Sequence, residues 1–222
     1  MQAVFETGFD IIYLSAVIFL GIKMIMESKG KRQYLLYGIM ALILGFGDSF
    51  HLVPRAVALC TTGLENYTAA PGIGKLITSV TMTLFYVLLY YVWRERYRIT
   101  GRKKLTQAVW ALALSRIILC RMPQNKWLSA TPPLSWGIYR NIPFALLGLL
   151  IIVIFYQSAK EKNDYSFRFL WLTIVLSFGF YIPVVLFADT VPIIGVLMVP
   201  KTCAYIWTVL IGYNSMKGDI KR

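Results

Sequence analysis

The sequence is poor in the residues that build metal centres and disulfide frameworks. Its 222 residues include one histidine and three cysteines. His51 has no cysteine or second histidine at metal-ligand spacing, so we expect no metal site and no cofactor. Cys60 and Cys120 fall toward the same predicted membrane face, where an oxidising compartment would permit a disulfide. Cys60 and Cys120 are interpreted instead as free buried thiols, and Cys203 has no partner at metal-ligand spacing.

Charge is also scarce, and long stretches carry none. Only 15% of the residues are charged, 58% are hydrophobic and the mean hydropathy is +0.63, which is typical of polytopic membrane proteins. The apolar runs lack the alternation of barrel strands, and lipid offers the backbone no hydrogen-bond partner, so each run is predicted to be a helix. We expect an all-α fold with a single seven-helix transmembrane domain over residues 1–222. The predicted spans are roughly 9–26, 34–54, 72–93, 106–121, 139–157, 168–188 and 192–213.

Acidic residues are few, and the basic excess is concentrated at one predicted membrane face. Ten acidic residues stand against 23 basic ones, which gives a net charge of +13. Because the basic residues follow the connections between spans, we expect contact with membrane lipids and no nucleic-acid partner. The positive-inside rule predicts an outside N-terminus and a cytoplasmic C-terminus in the plasma or inner cell membrane. The sixteen residues assigned to the cytoplasmic face are Lys23, Lys29, Lys31, Arg32, Arg94, Arg96, Arg98, Arg102, Lys103, Lys104, Lys160, Lys162, Arg168, Lys217, Lys221 and Arg222.

The densest polar segment, Gly45–Arg55, lies at the end of the second predicted span. Asp48, His51 and Arg55 follow helical spacing and are predicted to share one face. Asp48 lies six residues from the end of the span, which is roughly 9 Å deep at about 1.5 Å per residue. A carboxylate at that depth must face protein or water, because exposing it to lipid is costly.

Lys201 is a second charged residue inside a predicted span, the last one, at a depth similar to that of Asp48. Exposing it to lipid would be costly as well. Two interpretations stay open, a structural ion pair between Asp48 and Lys201 or a functional pair that acts on a ligand. In either case we expect the two charges to interact directly. Tyr205 follows Lys201 by about one helical turn and is assigned to the same face.

Further polar residues are predicted at the same level, around an outward-facing polar cavity. Cations outnumber carboxylates there, so the cavity suits a phosphate or carboxylate group, carried by an anionic lipid or by a small anion. Arg121 and Arg140 have an alternative role as snorkelling residues that reach lipid headgroups. The candidate ligand-binding residues are Arg55, Arg116, Arg121, Arg140, Asn141, Lys201 and Tyr205.

The segment Gly47–Arg55 resembles the Gly-Asp motif near a helix end in the lysoplasmalogenase family of membrane hydrolases. That family carries a second intramembrane aspartate near the end of its penultimate helix, and Asp189 is in the comparable place. The resemblance implies hydrolysis of the vinyl ether bond of a lysoplasmalogen, with two aspartates acting as acid and base on a water. The catalytic candidates are therefore Asp48 as general base and Asp189 or His51 as proton donor.

Two other classes of function remain open. Polar groups at bilayer depth mark transport pathways as readily as active sites, so the chain is alternatively a small-anion transporter or a seven-helix receptor or sensor. A non-catalytic membrane assembly protein would instead hold these charges as internal pairs. Turnover of a lipid in detergent micelles, saturable uptake into sealed vesicles, or neither, separates the three classes.

The uneven distribution of basic residues generates the first prediction, which concerns topology. In a background without Cys60, Cys120 and Cys203, we expect a cysteine introduced after Arg98 to be labelled only from the cytoplasmic side. A cysteine introduced near Asn66 should be labelled only from outside, because positively charged connections are retained in the cytoplasm. Labelling by a membrane-impermeant maleimide in intact and opened cells measures this, and the reverse pattern would invert the predicted orientation.

Overall fold

The chain folds entirely into helices over the residues that the structure describes. A computed structural model describes residues 2–61, 69–129, 131–188 and 190–220, and these contain no strand. The all-α prediction is therefore confirmed. Two short 3₁₀ turns, Pro123–Asn125 and Pro192–Leu197, precede α5 and α7. The seven long helices are α1 (Gln2–Met26), α2 (Arg32–Cys60), α3 (Ala69–Arg96), α4 (Lys103–Arg121), α5 (Leu134–Glu161), α6 (Leu170–Phe187) and α7 (Met198–Ile220).

Within the described residues, six helical stretches are long and apolar enough to cross a membrane, which indicates a multi-pass membrane protein. The helix α4 is not among them. Its 19 residues include Lys103, Lys104, Arg116 and Arg121, which interrupt its apolar character. The qualifying stretches are Phe5–Met26, Arg32–Ala58, Gly72–Arg96, Leu134–Glu161, Leu170–Phe187 and Ile193–Ile220.

The helices form a closed bundle. Each helix packs against the next one along the chain, and α7 returns to pack against α1 and α2. The helix α3 also contacts α5. Phe85, Tyr86, Tyr90 and Trp93 of α3 are all fully or almost fully buried, and Tyr86 packs edge-on against Phe144 of α5 at 5.0 Å between ring centres.

The helix α4 runs between the same two ends of the bundle as its neighbours. Where α3 ends and α4 begins, the Tyr90 hydroxyl lies 2.7 Å from that of Thr106. Beyond the other end of α4, Asn125 accepts a hydrogen bond from Arg140 in the first turns of α5. We call the end of the bundle that contains Arg140 the Asp48 end, and the opposite one the Arg96 end.

Glycines allow α1 and α2 to approach each other closely. A Cβ atom at Gly38 would lie 2.8 Å from the carbonyl oxygen of Gly21, and one at Gly21 would lie 3.1 Å from that of Gly38. Small residues at helix contacts are a common means of packing in membranes, where dispersion contacts replace the hydrophobic effect between helices. This contact positions Tyr13 of α1 beside the polar segment of α2.

Substitution of Gly38 tests this packing. We expect Gly38→Ala to lower the free energy of unfolding by about 1–3 kcal/mol, because the added methyl group forces the two backbones apart. The matched control is Gly179→Ala on α6, where an added Cβ meets nothing within 4 Å. Thermal unfolding in detergent measures both variants. An unchanged melting temperature for Gly38→Ala would show that the helices separate without cost.

Candidate functional site

Asp48 is buried in α2 with a neutral partner. Its side chain is 6% exposed, and its Oδ2 accepts a 2.6 Å hydrogen bond from the hydroxyl of Tyr13 in α1. Within the described residues, Asp48 and Lys201 form no ion pair within 4.0 Å. The predicted direct contact between them is therefore wrong. The Asp48 carboxylate still acts electrostatically on Lys201. Tyr13 occupies the hydrogen-bonding position that the sequence had assigned to the lysine.

His51 is hydrogen-bonded to α3 rather than to Asp48. Its Nδ1 lies 3.0 Å from the hydroxyl oxygen of Thr78, and that hydroxyl donates to the carbonyl oxygen of Gly47 at 2.9 Å. Because the Thr78 proton is engaged with Gly47, Thr78 accepts from His51, and Nδ1 carries a proton. In a neutral ring this leaves Nε2 as the acceptor.

Arg55 forms an ion pair at the edge of the bundle. Its Nη2 lies 3.0 Å from Oε2 of Glu6 in α1. The prediction that Asp48, His51 and Arg55 share one face is therefore wrong for His51, which contacts α3 while the other two contact α1. The reason is geometric. A spacing of three residues leaves a side chain about 60° away around the helix, whereas a spacing of seven leaves it only about 20° away, and α2 lies between two neighbours.

Lys201 is buried against aromatic rings. It is 8% exposed, and its Nζ lies 4.9 Å from the ring centre of Tyr181 and 5.5 Å from that of Tyr205. Within the described part of the chain it forms no ion pair within 4.0 Å. Cation–π contact provides part of the stabilisation of an ammonium group in such a position. The shared placement of Lys201 and Tyr205 agrees with their one-turn spacing.

Arg116 is the least satisfied charge in the site. It is 2% exposed, and its guanidinium carbon lies 3.2 Å from the ring centre of Phe144. Its Nε and Nη1 are buried without a hydrogen-bond partner. A buried charge with unpaired donors is destabilising unless something else compensates it. Arg116 and Lys201 are thus two buried cations of the bundle.

Arg140 is held by residues that follow α4. Its Nη1 donates to Oδ1 of Asn125 at 2.9 Å, and its guanidinium carbon lies 4.3 Å from the ring centre of Trp127. Asn125 also donates through Nδ2 to the carbonyl oxygen of Leu119 at 2.7 Å, which caps the end of α4. The side chain of Arg140 is thus held in place by Asn125 and Trp127. Arg121, the other residue that was expected to snorkel, is exposed.

Asn141 links α5 to α6. Its Nδ2 donates to the carbonyl oxygen of Gly137 at 2.8 Å, and its Oδ1 accepts from the hydroxyl of Tyr181 at 3.3 Å. This bond orients the Tyr181 ring that faces Lys201. Asp189, the proposed second aspartate, lies outside the described residues.

The structure brings together a subset of the candidates. Asp48, Arg116, Lys201 and Tyr205 are buried, whereas Arg55 and Arg121 are more exposed. Among the buried charges, two cations stand against one carboxylate. Guanidinium and ammonium groups that lack a protein acceptor match the oxygen atoms of a carboxylate or phosphate group. The three cysteines are free. Cys60 and Cys203 are exposed, so the burial predicted for Cys60 and Cys120 holds only for the second.

Comparison with protein-family models, with curated proteins and with solved structures finds no match to this chain.

A second polar cluster, which the sequence analysis did not predict, lies at the Arg96 end. Arg96 donates from Nε and Nη2 to the two carboxylate oxygens of Asp164, at 2.8 Å each. The same guanidinium donates to Ser215 at 3.2 Å and lies 3.8 Å from the carboxylate of Asp219. Asp219 also accepts a hydrogen bond from the hydroxyl of Tyr34. The cluster therefore ties α2, α3, α7 and the connection between α5 and α6 together, beside a cavity of about 570 Å³.

Arg96 compensates the charge of Asp164 within this cluster. Burial alone raises the pKa of Asp164, but hydrogen bonds from Arg96 and its positive charge outweigh burial and hold this pKa below its usual value. Burial and the nearby Asp164 charge raise the pKa of Tyr97. The signal in the sequence was the presence of Asp164 and Asp219 within strongly basic segments, where each is surrounded by cations.

Acid titration tests the Arg96 cluster. Because the pKa of folded Asp164 lies below the ordinary value of 3.8, its contribution to stability is complete above pH 3.8 and is lost as the pH falls through the folded value. We expect Asp164→Asn to lower the free energy of unfolding by about 2 kcal/mol at neutral pH, with the difference from the parent protein disappearing in acid. Thermal unfolding across pH measures this. The exposed Glu161→Gln at the same end is the control, and a difference that persists in acid would contradict the assignment.

Proposed function

We propose that the chain is a seven-span protein of the cell membrane that binds an anionic group at the Asp48 end of the bundle. The observation that carries the proposal is Arg116, whose Nε and Nη1 have no partner although the residue is buried. Membrane proteins retain intramembrane charges where function requires them, and an uncompensated guanidinium is otherwise destabilising. An anionic ligand would compensate Arg116 and Lys201 together.

The proposed topology places this site in the outer half of the membrane. The helix α4 is taken as the seventh span because it runs between the same two ends as α3 and α5. The basic residues that flank the spans lie mainly at the Arg96 end, which the positive-inside rule assigns to the cytoplasm. The N-terminus is then outside and the C-terminus cytoplasmic.

The first candidate activity is that of a lipid-active hydrolase that resembles the lysoplasmalogenases. Arg116, Arg140 and Lys201 would hold the phosphate of the headgroup, and Asp48 would accept a proton from water as it adds to the vinyl ether carbon bonded to oxygen. Protonation of the neighbouring carbon by Asp189 or His51 completes the addition. The resulting hemiacetal collapses to an aldehyde and an alcohol, so one water is consumed. The unprotonated Nε2 of a neutral His51 would need to gain a proton before serving as this donor.

The second candidate activity is transport of a small anion. It is supported by the Arg96 cluster, which joins four segments across the opposite end of the bundle while the candidate site lies at the Asp48 end. Closure of one end is one half of an alternating-access cycle. A hydrolase turns over lipid in micelles, whereas a transporter shows saturable uptake only in sealed vesicles. A receptor or an assembly protein shows neither behaviour.

Ligand-induced stabilisation tests anion binding. We expect a lysophospholipid or a small anion to raise the melting temperature of the purified protein, with about 2.7 kcal/mol of stabilisation at a hundredfold excess over the dissociation constant. Arg116→Met should remove most of this stabilisation. Without ligand this variant should be at least as stable as the parent protein, because an unpaired buried charge is lost.

The matched control for Arg116→Met is Arg121→Met on the same helix, because Arg121 is exposed. This variant should respond to ligand as the parent protein does. If no anion or lysophospholipid shifts the melting temperature of the intact parent protein, the charges are structural and both candidate activities lose their support.

A further inference from the structure

We propose that the cavity of about 570 Å³ at the Arg96 end is a second binding site, which takes a phosphate group carried on a small polar body such as glycerol. Arg98 and Lys162, which both line this cavity, are assigned to the phosphate. This site is separate from the one proposed above, which lies at the Asp48 end of the bundle.

An ion pair between two segments places both cations at the cavity. Arg96, at the end of α3, donates two hydrogen bonds of 2.8 Å to Asp164, which follows α5. Arg98 lies two residues after this arginine, and Lys162 lies two residues before this aspartate. Both cations are exposed, and within the described residues neither forms an ion pair within 4.0 Å. The cavity therefore presents two cations, from different segments, to a ligand.

The two carboxylates of the lining already have a cationic partner. The side chain of Asp164 is 8% exposed, and its oxygens accept from Arg96 and from two backbone N–H groups of the following turn. The carboxylate of Asp219 lies 3.8 Å from the same guanidinium. Both negative charges are thus directed at Arg96, whereas Arg98 and Lys162 have no carboxylate of their own.

The lining carries a positive surplus, which favours an anion as the ligand. Its three cations exceed its two carboxylates by one charge. The charged residues within two positions of a lining residue include five basic and two acidic side chains, so a wider count increases the surplus. They are Arg94, Glu95, Lys160, Glu161, Arg168, Lys217 and Lys221.

A phosphate ester matches this site in charge and in size. Guanidinium and ammonium groups are the side chains that bind phosphate in proteins. The volume lies within the range of roughly 300–1,000 Å³ that is usual for ligand sites, so the cavity has room for more than a free phosphate ion. Asn163 and Ser166 also line it and supply neutral hydrogen-bonding groups for the attached body. A lipid headgroup and a soluble phosphate ester share this chemistry, and basic pockets at the cytoplasmic side of membrane bundles bind headgroups.

The backbone at Arg98 permits a variant that removes only the side chain. The helix α3 ends in a Schellman motif, in which the N–H of Ile99 bonds to the carbonyl oxygen of Arg94 at 2.9 Å and that of Arg98 to Glu95 at 3.3 Å. Arg98 occupies the left-handed position, with φ of 51°, which favours glycine. Arg98→Gly should therefore keep the melting temperature of the parent protein or raise it, while the cation is lost.

Protection of Lys162 from acylation tests the site locally. The purified protein in detergent is treated with an acetylating ester in the presence of glycerol 3-phosphate, and each lysine is quantified by mass spectrometry. We expect the rate at Lys162 to fall roughly tenfold at about ten times the dissociation constant, by mass action. Lys103, an exposed lysine at the same end that is not among the described lining residues, should react at an unchanged rate. Glycerol, and sodium chloride at equal ionic strength, should protect neither lysine.

A lipid arm of the same experiment identifies the source of the phosphate. Dihexanoyl phosphatidic acid replaces glycerol 3-phosphate, and dihexanoylglycerol, which lacks the phosphate, is its control. Protection at lower concentrations of the phosphatidic acid assigns the cavity to a lipid headgroup. Protection that is equal or weaker assigns it to a soluble phosphate ester.

Matched variants separate the site from general attraction to a basic surface. Arg98→Gly should raise the dissociation constant by roughly tenfold to a hundredfold, because a hydrogen bond to a charged group is lost. Arg102→Gly is the control, since Arg102 is exposed at the same end with φ of 49° and is not among the described lining residues. It should bind as the parent protein does, and so should Arg116→Met, which changes the opposite end.

Three results would overturn the proposal. They are unprotected Lys162 with both phosphates at millimolar concentration, unchanged binding by Arg98→Gly, and an equal loss of binding in Arg98→Gly and Arg102→Gly. If Arg98→Gly lowers the melting temperature, Arg98→Asn provides the same comparison, because asparagine tolerates the left-handed conformation. Protection that is lost in the Arg98 variant and kept in Arg102→Gly supports the site, whether or not an anion binds at the Asp48 end.

Discussion

The stacking of the Arg116 guanidinium on the Phe144 ring is the interaction on which the candidate site depends. The contact holds a full positive charge at 3.2 Å from the ring centre while two of its nitrogen donors remain unpaired. Phe144 itself packs on the fully buried Tyr86 of α3, so the guanidinium is supported by the core of the bundle. The core thus fixes a cation where lipid would not tolerate one.

The two polar clusters satisfy their charges in opposite ways. At the Arg96 end, a guanidinium meets the two oxygens of Asp164 in parallel hydrogen bonds, and Asp219 adds a second carboxylate. Such a cluster is complete within the protein and joins helices. At the Asp48 end, the carboxylate takes a bond from a tyrosine while the cations contact aromatic rings. That arrangement leaves two nitrogen donors of Arg116 without a partner in the protein.

Prediction from sequence was most successful where one physical constraint dominates. The cost of unpaired backbone groups in lipid makes each long apolar run a helix, and the same cost placed Asp48 and Lys201 inside the protein, as observed. The predicted contact between these residues failed because depth along two helices does not define their rotation. The Arg96 cluster was not predicted because its members are far apart in the sequence and look like ordinary residues of the polar connections.

The sequence by itself determined the helical class, the membrane-spanning character and which charges must avoid lipid, since each follows from the local density of apolar and polar groups. Tertiary structure alone decided their partners. Tyr13 reaches Asp48 because glycines let α1 approach α2, and His51 turns to Thr78 because α2 lies between two neighbours. Helix rotation and interaxial distance depend on packing between segments remote in sequence, so no local pattern encodes which cation remains without a carboxylate.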